Sequence, residues 1–127
     1  MNEHAGSAAL VTGGSSGIGR AVAELLAAGG ASVAVCSVDA DEARAVAGAI
    51  TVRGHTAVPV TADVRDPASV AAAVHATVAA FGSLDTLVTS AGVQAYGTAA
   101  DTDDATWDDV FAVNVKGVFF AIGAALP

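Results

Sequence analysis

A glycine-rich segment near the start of the chain has residue types and spacing suited to binding a diphosphate group. An apolar run precedes it at 8–11, a helix-favouring run follows at 20–26, and it reads Thr12-Gly13-Gly14-Ser15-Ser16-Gly17-Ile18-Gly19. A strand, a tight turn and a helix N-terminus in that order expose backbone N–H groups, and the helix dipole adds a positive potential. The segment therefore predicts a pocket for the pyrophosphate of a dinucleotide.

Each glycine of this segment has a distinct predicted use. Gly13 lets the backbone leave the strand sharply, Gly17 leaves no Cβ where a pyrophosphate approaches, and Gly19 lets the helix pack tightly on the strand. Ser15 and Ser16 can donate further hydrogen bonds, or they can be solvent-exposed turn residues. No Gly-Lys-Ser/Thr follows the glycines, which excludes a P-loop.

The elements that must position this turn follow from the hydrophobic pattern. Short β-branched runs alternate with longer Ala-rich runs, which predicts a doubly wound α/β domain with a parallel sheet. Right-handed crossovers then give the strand order 3-2-1-4. The predicted strands are 8–12, 32–36, 56–61 and 84–89, and the predicted helices are 17–28, 39–53, 67–81 and one from 102 or 103 to about 126, broken around 113–117.

Length and composition limit the classes of function. The 127 residues suit one domain, and 54% hydrophobic content with a net charge of −8 makes disorder and nucleic-acid binding improbable. A single cysteine, Cys36, allows no internal disulfide and is expected to be buried. Three histidines, at 4, 55 and 75, do not group as metal ligands, so no metal site is expected. No apolar run approaches a membrane span, and the first residues lack a signal peptide, which favours the cytoplasm.

Three further segments match a known family in order and spacing. They are Ala62-Asp63-Val64 after the third strand, Thr89-Ser90-Ala91-Gly92 at the end of the fourth, and Val113-Asn114-Val115-Lys116-Gly117 within the last helix. With the glycine turn, they resemble the amino-terminal part of a classical short-chain dehydrogenase/reductase. Thr89 and Ser90 stand where that family has two asparagines, and their shorter side chains brace the neighbouring strands less well.

The resemblance implies a Rossmann-like fold that binds NAD or NADP. It divides the chain into a flexible tail at 1–7 and a partial NAD(P)-binding domain at 8–127, truncated after the fourth strand and its helix. It implies that Asp63 accepts a hydrogen bond from the adenine amino group and that the Val64 N–H pairs with a ring nitrogen. The expected cofactor contacts are Gly13, Ser15, Ser16, Gly17, Ile18, Gly19, Ser37, Val38, Asp63, Val64, Ser90, Ala91 and Gly92.

The choice between NAD and NADP depends on the end of the second strand. An acid about 20 residues beyond the glycines would bind the ribose hydroxyls, but Ser37 occupies that place, followed by Val38 and Asp39. Asp39 is the other candidate for binding the ribose hydroxyls. No Arg or Lys stands near Ser16 or Val38 to receive a 2′-phosphate, which favours NAD.

The resemblance implies hydride transfer between a nicotinamide cofactor and an alcohol or carbonyl substrate. Asn114 matches the catalytic asparagine that holds a water in a proton relay, or it simply caps a helix break. The family's Ser and Tyr-x-x-x-Lys are absent, because the one tyrosine is Tyr96 and the one lysine is Lys116. Tyr96 lies in a loop that either lines a substrate cleft or half-buries an aromatic ring. Trp107, Phe111, Phe119 and Phe120 are expected to form a core or interface stripe.

Two alternatives to an oxidoreductase part stay open. One is a non-catalytic dinucleotide-binding or interaction fragment from a truncated gene. The other, weaker one is a different Rossmann-like protein such as a methyltransferase. For the isolated chain, a sheet edge and a helix face without a covering layer predict self-association, as a dimer or an aggregate.

Overall fold

Four parallel strands and their connecting helices alternate along the chain in the computed structural model, which describes residues 2–127. The sheet order β3-β2-β1-β4 confirms the predicted topology. The strands are β1 (Ala8–Thr12), β2 (Ser32–Ser37), β3 (Thr56–Thr61) and β4 (Thr86–Thr89). The helices are α1 (Gly17–Ala28), α2 (Ala40–Val52), α3 (Pro67–Phe81), α4 (Asp104–Phe111), a π-helical segment (Ala112–Lys116) and α5 (Gly117–Ala125).

The two central strands, β1 and β2, are buried on both faces. Val11, Val33 and Val35 pack with the buried side chains of α1 and α2. Leu10 and Cys36 point to the other face and pack against α3. Because successive side chains of a strand alternate between faces, a strand covered on both sides has to be apolar throughout. This explains why both strands read as continuous apolar runs.

Small residues let α1 lie close to the sheet. Gly19, Ala23 and Ala27 are four residues apart and form its buried face. A Cβ placed on Gly19 would lie 2.1 Å from the carbonyl oxygen of Gly13, which no side chain tolerates. The predicted packing role of Gly19 follows directly from this contact.

β4 is two residues shorter than the predicted strand 84–89. The N–H of Ala8 donates to a carboxylate oxygen of Asp85 at 2.8 Å, and the Asp85 N–H donates to the Ala8 carbonyl at 2.9 Å. A side-chain oxygen therefore takes the place of a backbone acceptor, and regular pairing begins only at Thr86. At the other end of the sheet, β2 extends one residue beyond the prediction, to Ser37.

The apolar spacing of α3 identifies only part of its buried face. Val70, Val74, Val78 and Phe81 recur at intervals of four, four and three residues, which predicts that they line one face. Val74 and Phe81 pack partly against the core, but Val78 is 40% exposed. The fully buried residues are Val70, Ala73 and Thr77. The Thr77 hydroxyl donates to the Ala73 carbonyl at 2.8 Å, so this buried polar group is satisfied within the helix.

The last helix is interrupted where the sequence predicted a break. Asp103 caps α4 by accepting the Thr106 N–H at 2.8 Å. Hydrogen bonds from the Thr106 side chain and from its N–H lower the pKa of the Asp103 carboxyl group. The π-helical segment then adds a residue to one turn before α5 begins. No helix in the described part of the chain combines the length and hydrophobicity needed to cross a bilayer.

Residues 2–7 lie against the start of the sheet. The His4 N–H donates to the Gly29 carbonyl at 2.9 Å, and the Ser32 N–H donates to the Ser7 carbonyl at the same distance. The flexibility of the tail 1–7 stays a prediction, and Met1 lies outside the described residues.

Two glycines in regular helices make a matched test of this packing. A Cβ on Gly117 would lie 2.8 Å from Cγ2 of Val64, whereas one on Gly48 would meet nothing within 4 Å. Gly48→Ala should raise the free energy of unfolding by about 0.5–1 kcal/mol, since glycine disfavours helix. Gly117→Ala should lower it by about 1 kcal/mol, because the β-branched Val64 cannot rotate away. Urea denaturation measures both, and stabilisation of equal size would contradict the close packing at Gly117.

Candidate functional site

An open cleft of about 770 Å³ lies at the carboxyl ends of the strands. Parallel strands bring the loops that follow them to one edge of the sheet, where doubly wound folds bind ligands. Asn114 and all the expected cofactor contacts except Gly19 line this cleft. Gly19 lies behind the turn and supports it through the Gly13 contact rather than facing a ligand.

The glycine turn holds two residues in the left-handed backbone region. Gly13 has φ 65° and Gly17 has φ 54°, values that favour glycine. A Cβ on Gly13 would lie 2.5 Å from the Ala91 N, so the turn and the segment after β4 are in direct backbone contact. A Cβ on Gly17 would meet no atom within 4 Å and would stand in the open cleft. At Gly13 and Gly17 the turn therefore exposes backbone atoms to a ligand in the cleft.

The start of α1 has no side-chain cap. Ser16 occupies the N-cap position, but its hydroxyl makes no capping hydrogen bond, and the first helical bond is from the Arg20 N–H to the Ser16 carbonyl at 3.1 Å. The N–H groups of 17–19 lie in the first turn, where a helix has no internal acceptors. These groups and the helix dipole suit an anionic ligand.

Polar side chains cluster where β2 ends. The Ser15 hydroxyl lies 3.0 Å from the Ser37 hydroxyl and 3.4 Å from a carboxylate oxygen of Glu42. The Ser37 hydroxyl also accepts the Asp39 N–H at 3.1 Å. Asp39, the predicted substitute ribose ligand, instead caps α2 by accepting the N–H groups of Asp41 and Glu42 at 2.9 and 3.2 Å. Of these two acids at the start of α2, Glu42 lines the cleft and Asp39 does not.

Asp63 lies just after β3 and is paired with Arg65. Its two carboxylate oxygens accept hydrogen bonds from the Arg65 guanidinium at distances from 2.8 to 3.2 Å. The Arg65 side chain and backbone N–H bonds hold the pKa of the Asp63 carboxyl below its usual value. Asp63 is therefore ionised at neutral pH and can act only as an acceptor.

Asn114 lies in the π-helical segment and holds the loop after β4. Its amide group donates to the Val93 carbonyl and accepts the Val93 N–H, both at 2.9 Å. Its oxygen also lies near Gly92, where an added Cβ would be 3.4 Å away. Both polar atoms of Asn114 thus have a structural use, and its catalytic role stays a prediction.

Cys36 is buried, as predicted, with 1% of its surface exposed. Burial raises the pKa of its thiol to about 11, so the thiol is neutral and unreactive at physiological pH. Within residues 2–127, no three side chains of His, Cys, Asp or Glu converge on a metal position. The groups that face the cleft are mainly N–H and hydroxyl donors with a few carboxylates.

The structure corrects two predictions about aromatic residues. Tyr96 is 93% exposed and donates to the Gln94 side chain at 2.6 Å, so its ring is not half-buried and does not line the cleft. Trp107 and Phe111 stack with their ring centres 4.5 Å apart, but they are 58% and 43% exposed and form no part of the core. Phe119 is also exposed, whereas Phe120 packs partly against the core. The interface alternative for this stripe stays a prediction.

Sequence reasoning missed three charged residues of the cleft: Glu42, Arg65 and Asp109. Glu42 had a readable signal, because an acid three residues after the cap Asp39 is typical of a capping box. The Ser37 hydroxyl takes the Asp39 N–H in that place, which leaves Glu42 free to face Ser15. Arg65 and Asp109 are 44 residues apart and pair only through the fold, so no local pattern could reveal them.

Comparison with known proteins agrees with this geometry. Residues 7–127 match a family model described as short chain dehydrogenase. Over 127 residues the chain is 39% identical to a cis-2,3-dihydrobiphenyl-2,3-diol dehydrogenase of Paraburkholderia xenovorans, covering 96% of this chain and 45% of that protein. A dehydrogenase/reductase from Sinorhizobium meliloti superposes with a TM-score of 0.92 at 45% identity, covering 95% of this chain and 48% of that one.

A second solved structure gives the same result. A mutant form of a Serratia marcescens short-chain dehydrogenase/reductase superposes with a TM-score of 0.91 at 41% identity, over 97% of this chain and 51% of that one. The chain spans about half the length of the curated relatives it matches.

The Asn114 contacts predict a local effect. Asn114→Ala removes both hydrogen bonds to Val93, so the Val93 amide should exchange with solvent on the order of tenfold faster. Hydrogen exchange followed by NMR measures this rate. Gln94→Ala is the control, because it truncates a neighbouring amide side chain that holds no backbone group in place. A Val93 rate that stays unchanged in Asn114→Ala would contradict the holding role.

Proposed function

The chain belongs to the short-chain dehydrogenase/reductase family, and we propose that it forms the nicotinamide-dinucleotide-binding part of an oxidoreductase acting on an alcohol or carbonyl compound. The observation that carries the proposal is the uncapped start of α1 beside the bare backbone of Gly17. When bound, the nicotinamide ring supplies or accepts the hydride. The residues described here bind and orient that cofactor.

The donor set fits a dinucleotide along the cleft. Backbone N–H groups of the first turn of α1 suit the pyrophosphate, and the ionised Asp63 suits the adenine amino group. Ser90, Ala91 and Gly92, at the end of β4, suit the ribose on the nicotinamide side. Backbone contact between Gly13 and Ala91 keeps these two parts of the cleft at a fixed separation.

Charge near the end of β2 supports NAD as the cofactor rather than NADP. Glu42 and Ser37 are the groups placed to meet the adenine-side ribose, and a carboxylate binds hydroxyl groups but repels a 2′-phosphate. Arg44 is engaged with Asp41 on the exposed surface of α2 and does not line the cleft. Arg65 lines the cleft but is engaged by two acids.

Catalysis by these 127 residues alone is not part of the proposal. They contain no Tyr-x-x-x-Lys, and a general acid must lie within hydrogen-bond reach of the reacting oxygen. Asn114, the family's remaining catalytic position, is bonded to Val93. A non-catalytic dinucleotide-binding role for this stretch of chain is therefore the alternative, and the same binding experiment addresses both.

Self-association and a cytoplasmic location complete the proposal. Phe119 and Ile122 in α5 and Leu126 just after it are 72%, 46% and 80% exposed, and β4 lies at a sheet edge. Exposed apolar faces and open edges favour association with a second surface. The single thiol, Cys36, is buried and unpaired, which suits a reducing compartment.

Gly17 provides the direct test of dinucleotide binding. Gly17→Ala places a methyl group in the open cleft, so we expect the affinity for NADH to fall by about tenfold or more. Titration followed by nicotinamide fluorescence measures it. Gly54→Ala is the matched control, because Gly54 also has a positive φ, of 88°, and open space around its Cβ, but it lies in the turn after α2. Both variants should lose about 1 kcal/mol of stability from backbone strain.

Two results would overturn the proposal. One is a wild-type chain, folded by circular dichroism, that binds neither NADH nor NADPH. The other is an equal loss of affinity in Gly17→Ala and Gly54→Ala, which would place the effect in overall stability instead of the cleft.

Glu42 provides the test of cofactor choice. Glu42→Gln removes the charge beside Ser15 and should reduce the preference for NADH over NADPH by about fivefold, since one charge–charge repulsion is lost. Asp41→Asn removes the same charge from the neighbouring residue, which is 88% exposed, and should leave the preference within about twofold. The ratio of the two dissociation constants is the measurement. A wild-type preference for NADPH would contradict the assignment.

A further inference from the structure

Arg65 is hydrogen-bonded on two sides of its guanidinium group. Its Nε lies 3.0 and 3.2 Å from the two carboxylate oxygens of Asp63, and one terminal nitrogen lies 2.8 Å from Oδ2 of that residue. The other terminal nitrogen lies 2.7 Å from a carboxylate oxygen of Asp109, in α4. A planar guanidinium can serve two acids in this way, whereas an ammonium group cannot reproduce the fork.

The Arg65–Asp109 ion pair attaches α4 to the rest of the fold. α4 has no buried residue, and its aromatic pair, Trp107 and Phe111, stacks within the helix itself. Among residues 2–127, the Arg65–Asp109 bond is the one side-chain hydrogen bond that joins α4 to a distant part of the fold. Arg65 is therefore the side chain that ties α4 to the end of β3.

The same helical run is tied to the opposite edge of the sheet. It continues from α4 into the π-helical segment, where Asn114 holds Val93. Arg65 follows β3 and Val93 follows β4, and these are the two outer strands in the order β3-β2-β1-β4. The run thus spans the carboxyl end of the sheet, with Arg65 as its anchor on the side of Asp63.

We propose that Arg65 is a positioning residue for the dinucleotide cleft, which fixes the Asp63 carboxylate and anchors α4 across the cleft at the same time. The inference rests on the proposed function, because Asp63 is the predicted adenine contact. The side chains of Arg65, Asp63 and Asp109 are 48%, 36% and 49% exposed. Exposed ion pairs contribute little to global stability, so the effect belongs in ligand affinity and in the local order of α4.

A double-mutant cycle tests the bridge. Arg65→Gln and Asp109→Asn should each weaken NADH binding by about fivefold, and the double variant should bind no more weakly than Arg65→Gln alone. Arg65→Lys, which keeps the charge but not the fork, should restore only part of the affinity. Asp108→Asn removes one negative charge from the residue just before Asp109 in α4 and should change the affinity by less than about twofold. All of these variants should unfold at the same urea concentration as the wild type.

Hydrogen exchange and NMR titration separate a bridge from a general charge effect. Arg65→Gln should raise the pKa of Asp63, and both Arg65→Gln and Asp109→Asn should speed amide exchange in α4, while Asp108→Asn should not. Additive losses in the cycle, or equal effects of Asp108→Asn and Asp109→Asn, would overturn the bridge. If the wild type binds no dinucleotide, the proposed function fails, and α4 exchange alone decides whether Arg65 anchors the helix.

Discussion

The contact between Gly19 and the carbonyl of Gly13 is the constraint on which the cleft depends. A Cβ at position 19 would lie 2.1 Å from that oxygen, so α1 can start this close to β1 only because glycine is there. The close start places the uncapped first turn of α1 at the carboxyl end of the central strand. It also brings Gly13 into backbone contact with Ala91, which fixes the segment after β4. The first turn of α1 and the segment after β4 are far apart in sequence, and the glycine contacts hold both in place.

Most of the fold could be predicted because its signals are local. The apolar runs of β1 and β2 mark those strands by their own residues. Helix ends are marked just as locally, by Asp39 and Asp66 at the starts of α2 and α3 and by Gly82 at the end of α3. Errors arose where a tertiary contact replaced a local one. The Asp85 carboxylate accepts a hydrogen bond from the Ala8 N–H of β1, so β4 is shorter than predicted. In α3, Thr77 is buried while the neighbouring Val78 is exposed, because the Thr77 hydroxyl donates to the Ala73 carbonyl within the helix.

The site was predictable in its backbone but not in its charges. Glycine turns and strand ends follow from sequence spacing, so every predicted cofactor contact except Gly19 lines the cleft. The partners of the acidic side chains depend on which loops the sheet brings together. Asp39 caps α2, Glu42 lies at the cleft beside Ser15, and Asp109 pairs with Arg65 across the fold. Arg65 lies between two carboxylates that are distant in sequence, a pairing that only the three-dimensional fold creates.

The π-helical segment has a consequence for the surfaces of the last helix. An extra residue in one turn shifts every later side chain by about 100° around the helix axis, since an α-helix advances 3.6 residues per turn. α4 carries Asp109 at the cleft, while Gly117 and Ala121 of α5 are buried, and Ala121 packs with Val70 of α3. Because of one inserted residue, the surface that α4 presents to the cleft and the surface that α5 buries need not lie on the same side of the helix.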